Sequence, residues 1–291
     1  MQNRLSPLIA AAEVRELQKD SNVTWIDARG GPGAKERYEG GHLPNAIFVD
    51  LETELSQKSE NPANGGRHPL PDVKQFGVLL GRIGIRPSSH IIIYDDKGGA
   101  MAAARFWWML KAAGHEKVQV VDGGLDALIR EGLVLDAGNA KTPASLAPYY
   151  IEGWKLPTVT IADVERASAN PEYVVIDVRE SFRYRGEREP IDLVAGHIPG
   201  AVNIPFMENN LQSDGRFQTA EALTSTYRSF IGNRPLENVI VHCGSGVTAC
   251  HTLLALHQAG LEGARLYVGS WSEWSRSGRP IATGDQQDCL V

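Results

Sequence analysis

One cysteine stands where the sequence predicts a reactive thiol. The segment Cys-Gly-Ser-Gly-Val-Thr, residues 243–248, joins a Val- and Ile-rich run at 239–242 to a stretch with apolar residues at helical spacing. Two glycines let the backbone turn tightly, so that several N–H groups can point at one place. The helix that begins near Thr248 adds its positive N-terminal end. Such an anion cradle favours the nucleophilic thiolate and would equally stabilise a terminal persulfide anion, so we expect Cys243 to be a nucleophile.

Two other interpretations of Cys243 are less favoured. A cysteine phosphatase needs an arginine six residues after its cysteine to clamp phosphate. Here that residue is Ala249 and the next arginine is Arg265, so phosphatase chemistry is not expected. A small buried cysteine at a strand end is a common structural residue, but a Gly-rich loop between a strand and a helix favours the functional interpretation.

The pattern around Cys243 occurs twice in the chain. Five segments of the first half recur in the same order in the second half, at offsets of 146 to 155 residues. The pairs are 25–29 with 175–179, 41–46 with 196–201, 91–95 with 239–243, 112–114 with 258–260, and 121–125 with 267–271. Five pairs in order indicate a duplication. Asp95 aligns with Cys243, so the first half has no nucleophile at this position.

Each half has an α/β pattern. Runs rich in Val and Ile at 91–94, 118–121, 173–177 and 239–242 predict strands that are buried on both faces. Helical spacing predicts helices over 100–113 and 248–259, which end before Gly114 and Gly260. Strands that alternate with helices predict a mostly parallel sheet, with ligands bound beyond the carboxyl ends of its strands.

The predicted fold is therefore α/β, with two tandem domains that each contain a mostly parallel sheet flanked by helices. Glycines and prolines interrupt regular structure between the halves. We place the first domain at 1–137, a linker at 138–157 and the second, catalytic domain at 158–291.

Composition excludes several classes of protein. A length of 291 residues fits two domains, and a net charge of −6 disfavours general attraction to nucleic acid or anionic lipid. No apolar run is long enough for a membrane span, and no signal peptide is evident. Three cysteines without a CxxC or a zinc-ligand spacing predict a protein of the reducing cytoplasm, with no disulfide framework, metal or organic cofactor.

The repeated Asp-x-Arg motif, Gly-His-Ile-Pro-Gly-Ala and Cys-x-x-Gly-Val-Thr resemble the tandem-domain rhodanese family of sulfurtransferases over nearly the whole chain. Cys-Gly-Ser-Gly-Val-Thr-Ala is most similar to the branch that uses 3-mercaptopyruvate. The resemblance implies a cleft site between the domains and a Cys243 persulfide. It also implies a small-molecule sulfur donor and an acceptor, either a thiol such as a reduced thioredoxin-like protein or cyanide. Thiosulfate as the donor, or a carrier module charged by a partner protein, remain alternatives.

The same resemblance implies roles for further residues. Ser245 would relay a proton or hydrogen-bond the departing enolate. His42 would partner this serine, with Glu36 or Glu39 as its acidic neighbour. Arg183 would bind the anionic substrate, because a guanidinium fits a carboxylate with two hydrogen bonds.

The loop residues Gly244, Gly246, Val247 and Thr248 would contact the substrate through the cradle. One position departs from the family pattern. Family members that use mercaptopyruvate commonly carry a second arginine just before Gly-His-Ile-Pro, whereas this chain has Glu-Pro-Ile-Asp at 189–192. Arg188, or alternatively Arg185, would have to replace that arginine.

Overall fold

The computed structural model describes residues 5–18, 20, 22–139 and 143–285. The chain forms two compact units. The first unit contains Met1–Gln57, Leu70–Lys155 and Gln212–Phe217, and the second contains Lys58–Pro69, Leu156–Leu211 and Gln218–Val291. Each unit therefore includes one short segment from the other half of the sequence. The domain boundaries at 137 and 157 stay a prediction.

The first unit is built on a five-stranded sheet in the order β1-β5-β4-β2-β3, in which every paired strand is parallel. Its strands are β1 (Leu8–Ile9), β2 (Val23–Arg29), β3 (Ile47–Asp50), β4 (His90–Tyr94) and β5 (Val118–Val121). Its helices are α1 (Ala11–Leu17), α2 (Ala34–Gly40), α3 (Val73–Arg82), α4 (Ala102–Ala112) and α5 (Gly124–Arg130). β4 and β5 are apolar and buried because helices cover both faces of a parallel sheet.

The second unit repeats this sheet in the order β6-β10-β9-β7-β8, again with parallel pairing. Its strands are β6 (Thr158–Val159), β7 (Val174–Asp177), β8 (Val202–Asn203), β9 (Val239–His242) and β10 (Arg265–Tyr267). Its helices are α6 (Ile161–Ser168), α7 (Ser181–Tyr184), α8 (Phe206–Asn210), α9 (Ala220–Ile231), α10 (Thr248–Gln258), α11 (Ser270–Trp274) and a 3-10 turn at Leu236–Asn238. The equivalent strand orders confirm the predicted α/β fold with two related parallel sheets.

The two helices predicted from apolar spacing are α4 and α10. In both, the C-cap is an alanine, Ala113 or Ala259, and the next residue is a glycine in the left-handed region, Gly114 with φ 87° or Gly260 with φ 71°. A residue without a Cβ adopts this conformation at little cost, and the helix terminates there. Among the described residues, no helix has both the length and the apolar character needed to cross a membrane.

The duplicated Asp-x-Arg motif forms a buried ion pair in each unit. Arg29 donates to Asp27 at 2.7 Å and to the Gly41 carbonyl at 2.7 Å. Arg179 donates to Asp177 at 2.6 Å and to the Gly196 carbonyl at 2.7 Å. Each pair ties the end of a strand to the glycine of a Gly-His motif, which explains why both halves keep it.

Candidate active site

Cys243 lies directly after β9, at the carboxyl end of the second sheet. Its thiol is free and buried, and its sulfur accepts a hydrogen bond from the Gly246 N–H at 3.1 Å. α10 starts at Thr248, so the positive end of an 11-residue helix follows the loop at once. The turn therefore supplies a backbone donor to the sulfur, as a thiolate or persulfide anion requires.

The backbone around Cys243 is held in place by α11. The Trp271 N–H donates to the Cys243 carbonyl at 3.0 Å, and the Ser272 N–H donates to the Gly244 carbonyl at 2.9 Å. The Cys243 N–H in turn donates to the Ser270 hydroxyl at 3.2 Å. These bonds fix the backbone of the loop in which the Gly246 N–H donates to the sulfur.

Gly246 is required by the shape of the loop. Its φ of 76° lies in the left-handed region, and a Cβ at this position would be 2.5 Å from the Val268 carbonyl oxygen. Val247 follows as a buried residue at the start of α10. Contacts between a substrate and Gly244, Gly246, Val247 or Thr248 stay a prediction.

The partner of Ser245 is a histidine of the second unit, His68, and not the predicted His42. The His68 Nδ1 lies 2.7 Å from the Ser245 hydroxyl oxygen. Ser245 is the second residue after Cys243 and is itself largely buried. A hydroxyl bonded to an imidazole beside a sulfur nucleophile can pass a proton to or from a bound substrate.

The structure thus corrects the predicted pairing of His42 with Ser245. His42 is buried in the first unit, where its Nδ1 lies 2.9 Å from the Tyr38 carbonyl and its ring stacks on the Tyr38 ring. His197, its repeat, has the same arrangement with Tyr184, at 2.8 Å. The Gly-His motif occurs in both halves because it contributes to the packing of each. A motif with that role does not by itself indicate a catalytic histidine. The predicted acidic neighbour Glu39 pairs instead with Lys35.

Arg183, predicted to bind the substrate, is close to the cysteine loop. Its Nη2 lies 3.4 Å from where a Cβ on Gly244 would stand, and the Nη2 of Arg67 lies 3.1 Å from the same point. Arg67 is therefore the second guanidinium at this loop. Arg67 and His68 belong to one short run, Arg-His-Pro-Leu-Pro, which resembles a family loop but to which the sequence alone assigned no role.

Arg188, the predicted replacement for the missing arginine, is exposed and lies over the Phe182 ring at 5.0 Å. Arg185 pairs with Glu187 at 2.6 Å. The second guanidinium next to Gly244 is therefore that of Arg67, and not that of Arg188 or Arg185. Cys250 is buried and its thiol donates to the Gly246 carbonyl at 3.3 Å, while Cys289 lies outside the described residues.

The corresponding loop of the first unit carries Asp95 at the position of Cys243. Its carboxylate accepts four backbone N–H groups, from Lys97, Gly99, Met101 and Ala103, at 2.7 to 3.1 Å. The cradle is thus present in both units, and in the first it is filled by the chain's own carboxylate. Among the described residues, no group of three or more His, Cys, Asp or Glu side chains is placed to hold a metal ion.

Comparison with known proteins shows the family of the chain. The rhodanese-like domain family matches residues 10–131 and 160–277. A probable 3-mercaptopyruvate sulfurtransferase of Pseudomonas aeruginosa is 43% identical over 85% of this chain and 86% of its own length. A putative thiosulfate sulfurtransferase of Mycobacterium tuberculosis is 37% identical over 98% of this chain and 99% of its own length.

Structural similarity points the same way. The crystal structure of a 3-mercaptopyruvate sulfotransferase from Escherichia coli superimposes with a TM-score of 0.74 and 32% sequence identity, over 92% of this chain and all of that one. The match extends over both repeated units. The chain belongs to the rhodanese family, with two rhodanese-like domains in tandem, and it is a sulfurtransferase.

Proposed function

We propose that the protein moves a sulfur atom from 3-mercaptopyruvate to a thiol through a persulfide on Cys243. The observation that carries the proposal is the Cys243 loop, in which the Gly246 N–H donates to the sulfur and the Ser245–His68 pair stands beside it. The names of the Pseudomonas and Escherichia relatives support this donor.

In the first step the Cys243 thiolate attacks the sulfur of the donor. A bond forms between the two sulfur atoms and the bond from sulfur to C3 of the donor breaks. The electron pair of that bond leaves with the three-carbon fragment as the enolate of pyruvate. The thiol proton of the donor reaches the enolate, which becomes pyruvate, and the enzyme retains a persulfide anion in the cradle.

Ser245 and His68 are suited to carry that proton. The Ser245 hydroxyl can donate to the enolate oxygen while His68 supplies a replacement proton. Because the shared proton moves along one hydrogen bond of 2.7 Å, loss of either side chain breaks the same relay. Arg183 and Arg67, beside Gly244, offer guanidinium groups to the carboxylate of the donor.

In the second step an acceptor thiolate attacks the outer sulfur. The bond between the two persulfide sulfurs breaks, its electron pair returns to Cys243, and the acceptor leaves as a persulfide. A dithiol acceptor such as a reduced thioredoxin-like protein can then form its own disulfide and release hydrosulfide. Cyanide would leave as thiocyanate. We also propose a reducing, cytoplasmic setting, since neither of the two described cysteines forms a disulfide.

Thiosulfate is the second candidate donor, and the Mycobacterium relative favours it. The same thiolate would take the outer sulfur of thiosulfate and release sulfite. Measurement of pyruvate, sulfite and thiocyanate with each donor separates the two. We expect pyruvate release from mercaptopyruvate to exceed sulfite release from thiosulfate.

A mass spectrum of the intact protein provides the direct test. After treatment with mercaptopyruvate, wild type should gain one sulfur atom, and the gain should map to the peptide that contains Cys243. Cys243→Ser should gain none and turn over neither donor, whereas Cys250→Ser should still gain it. Full turnover by Cys243→Ser would disprove the mechanism, and charging by a partner protein alone would favour a sulfur carrier.

A further inference from the structure

A buried carboxylate stands among the guanidinium groups at the active-site loop. The side chain of Asp192 is fully buried. Its two oxygens accept from Arg67 at 3.1 and 3.3 Å, from Arg183 at 3.4 Å and from Arg276 at 3.3 Å. One carboxylate is therefore shared by three arginines.

A second buried carboxylate belongs to the same cluster. Glu189 pairs with Arg183 at 2.8 Å and accepts the backbone N–H of Asp192 at 3.1 Å. Burial raises the pKa of Glu189, but the hydrogen bonds from Arg183 and from backbone N–H groups outweigh it, and the pKa is lowered overall. Glu189 is thus charged at neutral pH. Three guanidinium groups face two buried carboxylates, which leaves one positive charge in the cluster.

The neighbouring charges do not change this balance. Glu189 also contacts Arg179 at 3.2 Å, but Arg179 is matched by its own partner Asp177. Glu180 lies 3.3 Å from Arg183, yet its side chain is 47% exposed and solvent screens it. The three arginines of the cluster therefore carry one positive charge more than Asp192 and Glu189 neutralise.

The cluster adjoins the nucleophile directly. A Cβ on Gly244, the residue after Cys243, would be 3.1 Å from Arg67, 3.4 Å from Arg183 and 3.6 Å from the Asp192 carboxylate. Arg67 and Arg276 keep 26% and 22% of their side chains exposed, so an anion from solvent can reach them. A donor that places its sulfur at Cys243 must bring its own charge to within a few ångströms of Asp192.

We propose that Asp192 is a specificity-determining residue, which limits the sulfur donor to one negative charge at this cluster. A donor with a single carboxylate, such as 3-mercaptopyruvate, neutralises the one uncompensated positive charge. A dianion such as thiosulfate brings a second negative charge close to the Asp192 carboxylate. The cluster has no further uncompensated guanidinium that could neutralise this charge. Repulsion between like charges a few ångströms apart at a partly buried site lowers binding at least tenfold.

The proposal deepens the proposed function and rests on Cys243 as the shared nucleophile. Its first test is steady-state kinetics of Asp192→Asn with both donors. This substitution removes the negative charge of the carboxylate and keeps the shape of the side chain, so the net charge of the cluster rises by one. The ratio of kcat/KM for thiosulfate to that for mercaptopyruvate should rise about tenfold, chiefly through a lower KM for thiosulfate.

Three variants isolate the charge. Asp192→Glu restores the carboxylate and should return the ratio toward the wild-type value. Arg276→Gln removes a positive charge from the same cluster and should lower the ratio. Glu165→Gln changes the net charge by the same amount on the exposed face of α6, where Glu165 pairs with Arg279, and should leave the ratio unchanged.

A purely structural role for Asp192 predicts a different result. If Asp192→Asn lowered kcat/KM for both donors by the same factor, or if Arg276→Gln raised the ratio, the charge rule would be overturned. Thermal unfolding of each variant identifies those that do not fold. If Asp192→Asn does not fold, the ratio of kcat/KM values measured for Arg276→Gln still tests the charge rule, which predicts that this ratio decreases.

Equilibrium binding separates this proposal from the choice of donor. In a Cys243→Ser background, pyruvate serves as the monoanion and inorganic sulfate as the dianion, and neither reacts. Asp192→Asn should tighten sulfate at least tenfold relative to pyruvate. If wild type turned over neither donor, the proposed function would fail while this shift would still support the charge rule. An unchanged sulfate-to-pyruvate ratio would refute the charge rule whatever the turnover.

Discussion

The Ser245 hydroxyl and the His68 imidazole are joined by a hydrogen bond of 2.7 Å, although 177 residues separate them in the sequence. His68 reaches Ser245 because Lys58–Pro69, a segment of the first half of the chain, belongs to the second unit. The same segment places Arg67 next to Gly244. Two residues of the candidate site therefore come from a part of the sequence that is distant from the cysteine.

Removal of His68 should impair proton transfer. We expect His68→Gln and Ser245→Ala each to lower kcat with mercaptopyruvate by about 100-fold, the usual contribution of a positioned proton donor. Because the two side chains act through one hydrogen bond, the double variant should be little worse than either single variant. Stopped assays of pyruvate release measure this.

His42 provides the matched control for that experiment. Its ring is buried against Tyr38, so His42→Gln should lower the unfolding temperature and leave kcat of the folded fraction within about threefold of wild type. A loss in kcat as large as that of His68→Gln, without a loss of stability, would restore His42 as the partner of Ser245.

Gly246→Ala should abolish sulfur loading. The new Cβ would stand 2.5 Å from the Val268 carbonyl oxygen, in a backbone conformation that already disfavours a side chain. The loop must move, and the N–H donated to Cys243 moves with it. Gly260→Ala has a similar φ of 71° but open space around the Cβ, so it should cost only about 1 kcal/mol of stability and keep activity. Equal persulfide yield from both variants would contradict this.

Asp95→Ala should destabilise the first unit. Four backbone N–H groups, including those of Gly99 and Ala103, would lose their acceptor in a buried site. We expect a loss of about 3 kcal/mol in the free energy of unfolding, measured with urea. Asp214→Ala, at an exposed ion pair with Arg216, should leave the free energy of unfolding nearly unchanged. A similar small effect at both positions would show that Asp95 does not hold the loop.

His251 should make the protein less stable in acid. Burial lowers the pKa of this histidine from 6.5 to about 3. Below pH 6.5 the unfolded chain binds a proton that the folded chain does not, so the contribution of neutral His251 is intact above that pH and is lost progressively toward pH 3. From pH 7 to pH 5 the loss amounts to about 2 kcal/mol.

Urea unfolding of His251→Gln at the two pH values measures this contribution. The glutamine does not titrate, so the variant should lose about 2 kcal/mol less stability than wild type between pH 7 and pH 5. His257→Gln, on the same helix but only partly buried, should follow the wild-type curve closely. A wild-type pH dependence in His251→Gln would show that another group is responsible.

The parts of the fold that depend on local pattern were predictable from the sequence. The strand at 239–242 and the helices at 100–113 and 248–259 are present within two residues, because apolar periodicity and a following glycine determine them. The prediction that Cys243 lies between a strand and a helix start is confirmed for the same reason, since both are local features, and its role as a nucleophile stays a prediction.

The side chains that surround the rest of the cysteine loop were not predictable in this way. His42 and His68 both precede a leucine or proline in short motifs, and only the tertiary structure shows which one meets Ser245. In the sequence, Asp192 lies in the segment where the second arginine of the family pattern is missing. In the structure Asp192 accepts from Arg183, nine residues away, and also from Arg67 and Arg276, which are 125 and 84 residues away. Pairings over such distances cannot be predicted from a periodic sequence pattern.

The exchange of segments between the two units limits how such a duplicated protein can change after it arises. Lys58–Pro69 completes the second unit and Gln212–Phe217 the first. A gene shortened to its second repeat would still encode Cys243, yet it would lose Arg67 and His68 together with the discarded half. We therefore expect the first repeat, although it has Asp95 at the position of Cys243, to be needed for the proposed reaction, because it supplies two side chains to the candidate site.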